Sequence, residues 1–430
     1  MKKATIGFAG LTHLGLNSLV ASAERGFTTV GFHEDDTLVQ NLRNSVININ
    51  EPQLLDFYQK NKNQISFSND PNSLKECDII YISTDVPTDN FGLSDLTSVN
   101  KLINNVIKNI NSNAILVILC QVPPGFTRTI KWPINQLYYQ VETLIFGRAI
   151  DRALNPERFI IGSSDKVREL PINYLNYLES FSCPILKMSY ESAELAKISI
   201  NMFLVSSVTT SNILAELCEK IGADWFEIIP ALKLDKRIGP FAYLNPGLGI
   251  AGGNLERDLR TVLDFSKKYN TDANTVTSWI NNSKHRKKWV WDLINELIST
   301  RQNKVKPTFA ILGLTYKENT HSLKNSASIE LLKKLKDYTV KVYDPAAPND
   351  FNLKNVIRVT KKEDTLNGAD FLIIMTPWEE FKSLSINEIK SRMNGNFIID
   401  PFKILDEASL INIGFTYKTL GKKSEINVVN

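Results

Sequence analysis

Lys197 and Asn201 lie four residues apart in a stretch with no glycine or proline between Tyr190 and Gly222. On a helix that spacing stacks both side chains on one face. An ammonium and a carboxamide converging on one oxygen stabilise an alkoxide, the species from which hydride departs. A lysine held away from water can also take the alcohol's proton. A second feature complements the first. Gly10-Leu11-Thr12-His13-Leu14-Gly15 stands where the apolar run Ala4–Ala9 gives way to helical spacing from Leu14 to Arg25. A strand ending in such a turn offers N–H groups and the positive end of a helix to a pyrophosphate. Thr12 replaces the middle glycine of G-x-G-x-x-G, which weakens the signal, although its hydroxyl can reach a phosphate. An acid is expected after the second strand to receive ribose hydroxyls. That position holds His33, with Glu34 and Asp35 following, and no arginine stands there for a 2′-phosphate. The pattern points to NAD rather than NADP.

These residues need elements to hold them. Phe27 to Phe32 reads as a second strand, and a strand–helix–strand unit of this size implies a parallel sheet. Runs at Asp78–Ser83 and Ile115–Cys120 extend it into a doubly wound domain over residues 1–185. Leu195, Ile198, Met202, Val205, Ile213, Leu217 and Ile221 keep helical spacing and predict one helix of about 30 residues within a helical region, 186–300. A second strand–turn–helix–strand begins at Thr308: Phe309–Leu312 meets Gly313, a helix covers Ser326–Lys336, and Val340–Tyr343 is the next strand. With strands expected at Phe371–Met375 and Phe397–Ile399, residues 301–430 form another such domain. The fold class is α/β, with two Rossmann-like doubly wound domains joined by a central helical domain containing one long helix.

Composition removes several alternatives. Among 430 residues, Lys+Arg 50 against Asp+Glu 46 leaves a net charge of +4, too little to support a protein that binds by neutralising nucleic-acid phosphates. The run Lys284-His285-Arg286-Lys287-Lys288 reads as a solvated helix face. Cys77, Cys120, Cys183 and Cys218 lie far apart with no CxxC pair, so neither a disulfide framework nor a metal site is expected. No unbroken apolar run approaches the ~20 residues of a membrane span. Gly7, Gly10 and Gly15 interrupt the apolar start, which argues against a leader peptide. A cytoplasmic protein with no membrane partner is expected.

Further segments, taken with those above, resemble the UDP-glucose/GDP-mannose dehydrogenase family along nearly the whole chain. They are Val86-Pro87-Thr88 with Gly92 and Asp95-Leu96, Val122-Pro123-Pro124-Gly125, Glu142-Thr143-Leu144 with Gly147, and Pro156-Glu157-Arg158. The helix Glu194–Asn201, Asp235–Gly239, Asn245–Gly249, Gly313–Thr320 and Tyr343-Asp344-Pro345 continue the series. The resemblance implies a homodimeric oxidoreductase with NAD on the first domain and a nucleotide sugar between the first and third. Its members commonly take a sugar alcohol to a carboxylate in two hydride transfers through a cysteine thioester. On this map Gly10, Thr12, His13, Leu14, Gly15, His33, Glu34, Val86, Pro87, Thr88 and Gln121 face the cofactor. Thr143, Leu144, Arg237, Tyr243, Gly249, Lys317 and Lys324 face the substrate. Lys197, Asn201, Asp258, Glu142 and the residue in the cysteine's place carry the chemistry.

That last residue is Asn254, within Pro246–Asp258, a stretch matching the family's cysteine segment without a gap. An amide is no nucleophile at neutral pH. None of the four cysteines lies nearby in sequence. Gln121 replaces the family's threonine, Ser322 and Lys324 replace an Asp and an Arg, and an Arg-Glu pair has become Ile145-Phe146. The expected function is therefore an NAD-dependent oxidation of a nucleotide sugar, either in one two-electron step or by a cysteine-independent route. The alternative is a nucleotide-sugar binding or regulatory protein that has lost catalysis.

Overall fold

The computed structural model describes residues 3–49, 51–89, 92–299, 305–348 and 353–423. Two compact units divide the chain at residue 200. The first is built on an eight-stranded sheet of β1 (Thr5–Ala9), β2 (Thr28–Phe32), β3 (Ile65–Ser68), β4 (Ile79–Ile82), β5 (Ile115–Ile118), β6 (Leu137–Gln140), β7 (Phe159–Ser163) and β8 (Ile185–Ser189). The strand order is β3-β2-β1-β4-β5-β6-β7-β8. The first six strands thus follow the doubly wound order 3-2-1-4-5-6. All neighbours pair parallel except β6 and β7, which are antiparallel. Every residue of β4 and β5 is buried, because helices cover both faces of a parallel sheet. Apolar runs rather than alternation in the sequence follow from that burial.

The second unit contains β9 (Thr308–Leu312), β10 (Thr339–Tyr343), β11 (Val356–Arg358), β12 (Phe371–Ile374), β13 (Phe397–Ile399) and β14 (Thr416–Lys418). Their order, β11-β10-β9-β12-β13-β14, repeats the same winding, with every pair parallel. The helical region precedes it. Val205, Ile250, Leu259 and Val276 form a small core that joins the long helix to helices Asn254–Tyr269 and Asn274–Arg286.

The long helix spans Tyr190–Ile221 and passes through the division between units. By length and composition it is apolar enough to cross a bilayer, with a mean hydropathy of 1.4 over its most apolar window. No unbroken apolar run marks it in the sequence, because scattered polar residues interrupt the helix without lowering its average enough. The basic run also departs from expectation at two positions, Arg286 and Lys287; the Lys287 side chain is 9% exposed and donates to the Asn325 carbonyl at 3.2 Å. Lys284, His285 and Lys288 are exposed, but Arg286 is 1% exposed and donates to Glu219 at 3.0 Å.

Candidate functional site

In the first unit the turn after β1 has the shape a pyrophosphate needs. Gly10 takes φ +95°, and a Cβ there would lie 2.8 Å from Thr84. A Cβ on Gly15 would meet the Gly10 carbonyl oxygen at 1.9 Å, so only glycine lets the helix start this close to the strand. The helix His13–Glu24 opens without a side-chain cap from Thr12 and without an acid in its first turn. Of its leading N–H groups, that of His13 already bonds the Asp85 carboxyl, so an anion at this helix start would compete with an internal carboxylate. Thr12 does not aim its hydroxyl at that space. Its Oγ1 accepts the Asp85 N–H at 2.9 Å and donates to the Ser83 carbonyl at 3.4 Å, joining the turn to the end of β4. Glycine cradle and uncapped helix start together fit a dinucleotide.

Beyond β4, Asp85 contacts the turn, and Thr88 bridges to Ser94. Enclosure pushes the Asp85 carboxyl above its ordinary range. Its hydrogen bond with Thr12 and the nearby His13 oppose that, and the charge of Glu142 reinforces it. Glu51 is more deeply placed. Its side chain has no exposure and accepts from His13 Nε2 at 3.0 Å, the Gly147 N–H at 3.0 Å and the Ala149 N–H at 2.6 Å. The His13 ring also packs on Phe146 at 4.1 Å between centroids. One buried carboxylate thus couples the phosphate turn to the 142–149 segment. In that segment Glu142 accepts the Leu144 N–H and lies 3.6 Å from Lys197 Nζ. Thr143 gives its carbonyl to Arg152, and Leu144 packs on the core of the first unit.

One turn before Lys197, Glu194 is fully buried and accepts the N–H groups of Gly125 at 2.5 Å and Thr127 at 2.8 Å. Burial raises its pKa against those bonds. The helix that carries Lys197 therefore also anchors the Val122–Gly125 turn, which follows Gln121. Cys120 is wholly buried in the core beside it, out of reach of substrate as a nucleophile.

After β2 the acids are all engaged. Glu34 accepts from Lys101 at 2.8 Å and Asn105 at 3.1 Å. Asp35 caps the next helix through Leu38 N–H, and Asp36 accepts from Asn69. His33 Nδ1 accepts the Asp35 N–H at 3.1 Å.

In the second unit Asn201 is 7% exposed and its Nδ2 donates to the Asp258 carboxylate at 2.5 Å. Asp258 is 1% exposed, with the Arg257 guanidinium 3.5 Å away. Asn254 begins the helix Asn254–Tyr269 and is exposed, one turn before Asp258 on the same face. The glycine segment before it is held from two sides. A Cβ on Gly249 would meet the Ser283 carbonyl at 2.5 Å, and one on Gly252 would meet the Tyr316 ring at 2.8 Å. The Gly252 N–H donates to the Lys324 carbonyl at 3.1 Å. Lys324 thus reaches the Asn254 turn through its backbone, and Lys317 lies on the same segment with its ammonium 6.0 Å from the Tyr316 ring. Arg237 is highly exposed and forked onto Asp235 at 3.0 and 2.6 Å. Tyr243 is about half exposed and gives its carbonyl to Ser211. Neither is brought to Asn254 by any of these bonds.

Comparison with known families accounts for this arrangement. The UDP-glucose/GDP-mannose dehydrogenase NAD binding domain matches residues 4–176, the central domain 191–284 and the UDP binding domain 310–407. The chain belongs to this family. It is an NAD-dependent oxidoreductase of the nucleotide-sugar dehydrogenase type, and NAD is its cofactor. It is 28% identical to the UDP-glucose 6-dehydrogenase of Rickettsia conorii, covering 97% of this chain and 99% of that one. It is 27% identical to the UDP-glucose 6-dehydrogenase TuaD of Bacillus subtilis, covering 98% and 94%. In fold it resembles a UDP-glucose dehydrogenase from Pyrobaculum islandicum, at TM-score 0.82 and 23% identity over 94% of this chain and 95% of that one. A UDP-D-ManNAc dehydrogenase from Pyrococcus horikoshii gives TM-score 0.83 at 22% identity, over 97% and 99%.

Within this dehydrogenase the two doubly wound sheets treat their first turns differently. Gly313, after β9, repeats Gly10 with φ +97° and Thr376 packed 2.5 Å from where a Cβ would be. However, Asp344, at the end of β10, fills the turn. Its carboxylate accepts the N–H groups of Leu314 at 2.7 Å and Thr315 at 3.0 Å, and the Thr315 hydroxyl at 3.1 Å. The equivalent strand end in the NAD-binding domain carries His33. Sequence reasoning missed Glu51, Asp85 and the anchoring role of Glu194. The Glu51-Pro52 pair gives no local hint, since its partners lie up to 98 residues away.

Proposed function

We propose that the enzyme oxidises a hydroxyl of a UDP- or GDP-linked hexose by hydride transfer to NAD, and that it stops after one two-electron step. The observation that carries this reading is the polar face of the long helix. Lys197 is largely shielded and held beside Glu142, and Asn201 is fixed by the buried Asp258. When bound, NAD accepts the hydride. Lys197, as the free amine, takes the hydroxyl proton; the resulting ammonium and one amide hydrogen of Asn201 hold the substrate oxygen as its charge develops, and the adjacent Glu142 keeps the ammonium in place. At the head of its helix Asn254 can hydrogen-bond a carbonyl product but cannot trap it covalently. Lys317 and Lys324 are the proposed contacts for the diphosphate in the second unit, and Arg237 is assigned to the same anion.

NADH counted against sugar consumed tests the single-step reading. The expected ratio is about one for the natural chain, rising toward two in Asn254→Cys, with a substrate-mass adduct on acid quench. A ratio near two without the cysteine would instead mean hydration of the aldehyde followed by a second transfer. If no UDP- or GDP-hexose yields NADH, the oxidoreductase reading fails. Calorimetry with the same sugars would then identify a binding protein.

A homodimer is part of the same proposal. Phe203 is 78% exposed and shares the long helix with exposed Leu214, Leu217 and Ile221, while Phe241 nearby in sequence is 91% exposed. Such apolar surface on a folded chain favours a second copy. Replacing Phe203 and Leu217 by Asp is expected to remove roughly 3–6 kcal/mol of association free energy. The chain would then elute at the monomer mass in light-scattering chromatography; a mass unchanged by both substitutions would place the contact elsewhere. A cytoplasmic location is proposed with it, since the four cysteines lie far apart in sequence with no CxxC pair.

A further inference from the structure

We infer that His33 makes the adenosine-ribose end of the NAD site a hydrogen-bond donor surface, so that the enzyme discriminates only weakly against a 2′-phosphate and binds NADP beside NAD. In this fold a carboxylate after β2 ordinarily accepts both ribose hydroxyls and repels a 2′-phosphate. Here that position carries an imidazole. It directly follows Phe32, whose carbonyl accepts the Gly10 N–H at 2.9 Å, so it lies beside the phosphate turn.

Which hydrogen the ring offers is fixed by its neighbour. Nδ1 accepts the Asp35 N–H, which leaves the single proton of a neutral imidazole on Nε2. Burial, the largest influence, lowers the His33 pKa, while Asp35 and Glu34 pull it upward. Nε2 is thus a donor. A ribose hydroxyl can accept from it, and so can a phosphate oxygen.

The neighbouring acids do not restore the missing carboxylate. Glu34 is held by Lys101 and Asn105 from helix Thr97–Asn109. Asp35 is committed to its helix cap, and Asp36 to Asn69. The Lys101 ammonium is itself well exposed, its side chain 73% accessible, and brings positive charge to this edge. Lys101 offsets the charge of Glu34, while Asp35 and Asp36 keep theirs, so repulsion against a third phosphate is smaller by the one carboxylate that His33 replaces.

Calorimetric titration of the full chain with NAD, NADP, 5′-AMP and 2′,5′-ADP tests this. The expected result is that NADP binds within about tenfold of NAD, and 2′,5′-ADP at least as well as 5′-AMP. In His33→Asp the NADP-to-NAD ratio of dissociation constants should rise at least tenfold, while His33→Gln, which keeps a donor, should leave it near the natural value. A natural chain that prefers NAD by more than tenfold overturns the inference, as does a His33→Asp variant with an unchanged ratio. Should the natural chain bind neither dinucleotide, the cofactor assignment falls with it. Binding of NAD with strong discrimination would overturn the role of His33 alone.

Discussion

Lys197→Met should lower kcat by about 10²–10⁴-fold while NAD affinity stays within about threefold of the natural value. Methionine keeps much of the length and apolar stem of lysine but offers neither charge nor a hydrogen to a developing alkoxide. The interaction lost is one that strengthens as the oxygen becomes anionic, so the effect belongs in kcat more than in KM. Glu142→Gln serves as a control. It leaves the ammonium in place but removes the carboxylate 3.6 Å from it, and should cost less than the loss of the lysine itself. Initial rates of NADH formation, with calorimetry for NAD, separate the two terms. A Lys197→Met enzyme retaining kcat within threefold would remove this residue from the chemistry.

Glu51→Ala carries the largest expected stability effect. The carboxylate has no exposure and serves two backbone amides and an imidazole. Alanine leaves the Gly147 and Ala149 N–H groups without their acceptor in an enclosed place, at about 1–3 kcal/mol each. The total, about 2–6 kcal/mol, is a large part of the 5–15 kcal/mol typical of a folded domain. Because His13 starts the helix that follows the Gly10 turn of the NAD-binding domain, NAD affinity should fall as well. Glu51→Gln keeps one oxygen for one amide and should show roughly half the loss. Urea denaturation with and without NAD measures both quantities. A midpoint unchanged by the alanine would show that water readily replaces the carboxylate.

The strands and the long helix were legible because burial writes itself into composition. β13 falls at Phe397–Ile399 and the long helix ends at Ile221, as their apolar spacing indicated. The antiparallel pairing of β6 and β7 was not legible, since a strand buried on both faces reads the same in either direction. Among site residues, Asn254 and Asp258 do share one helical face, as their spacing of four requires. Thr12 was a likelier phosphate ligand in the sequence than in the fold, because nothing local shows that the β4 loop would engage its hydroxyl. Glu34 and Asp35 looked available for a ribose for the same reason. The Glu34 partners Lys101 and Asn105 sit more than sixty residues away, and only the folded chain brings them together; Asp35 is taken up locally, by the Leu38 N–H of the helix it caps.

The aspartate that occupies the turn after β9 has a consequence for how many dinucleotides each polypeptide can carry. Two sheets wound alike would seem to offer twin cradles, yet Asp344 acts in one of them as a permanent internal anion, bonded to the backbone amides a phosphate would seek. Saturation should therefore come at one NAD per chain.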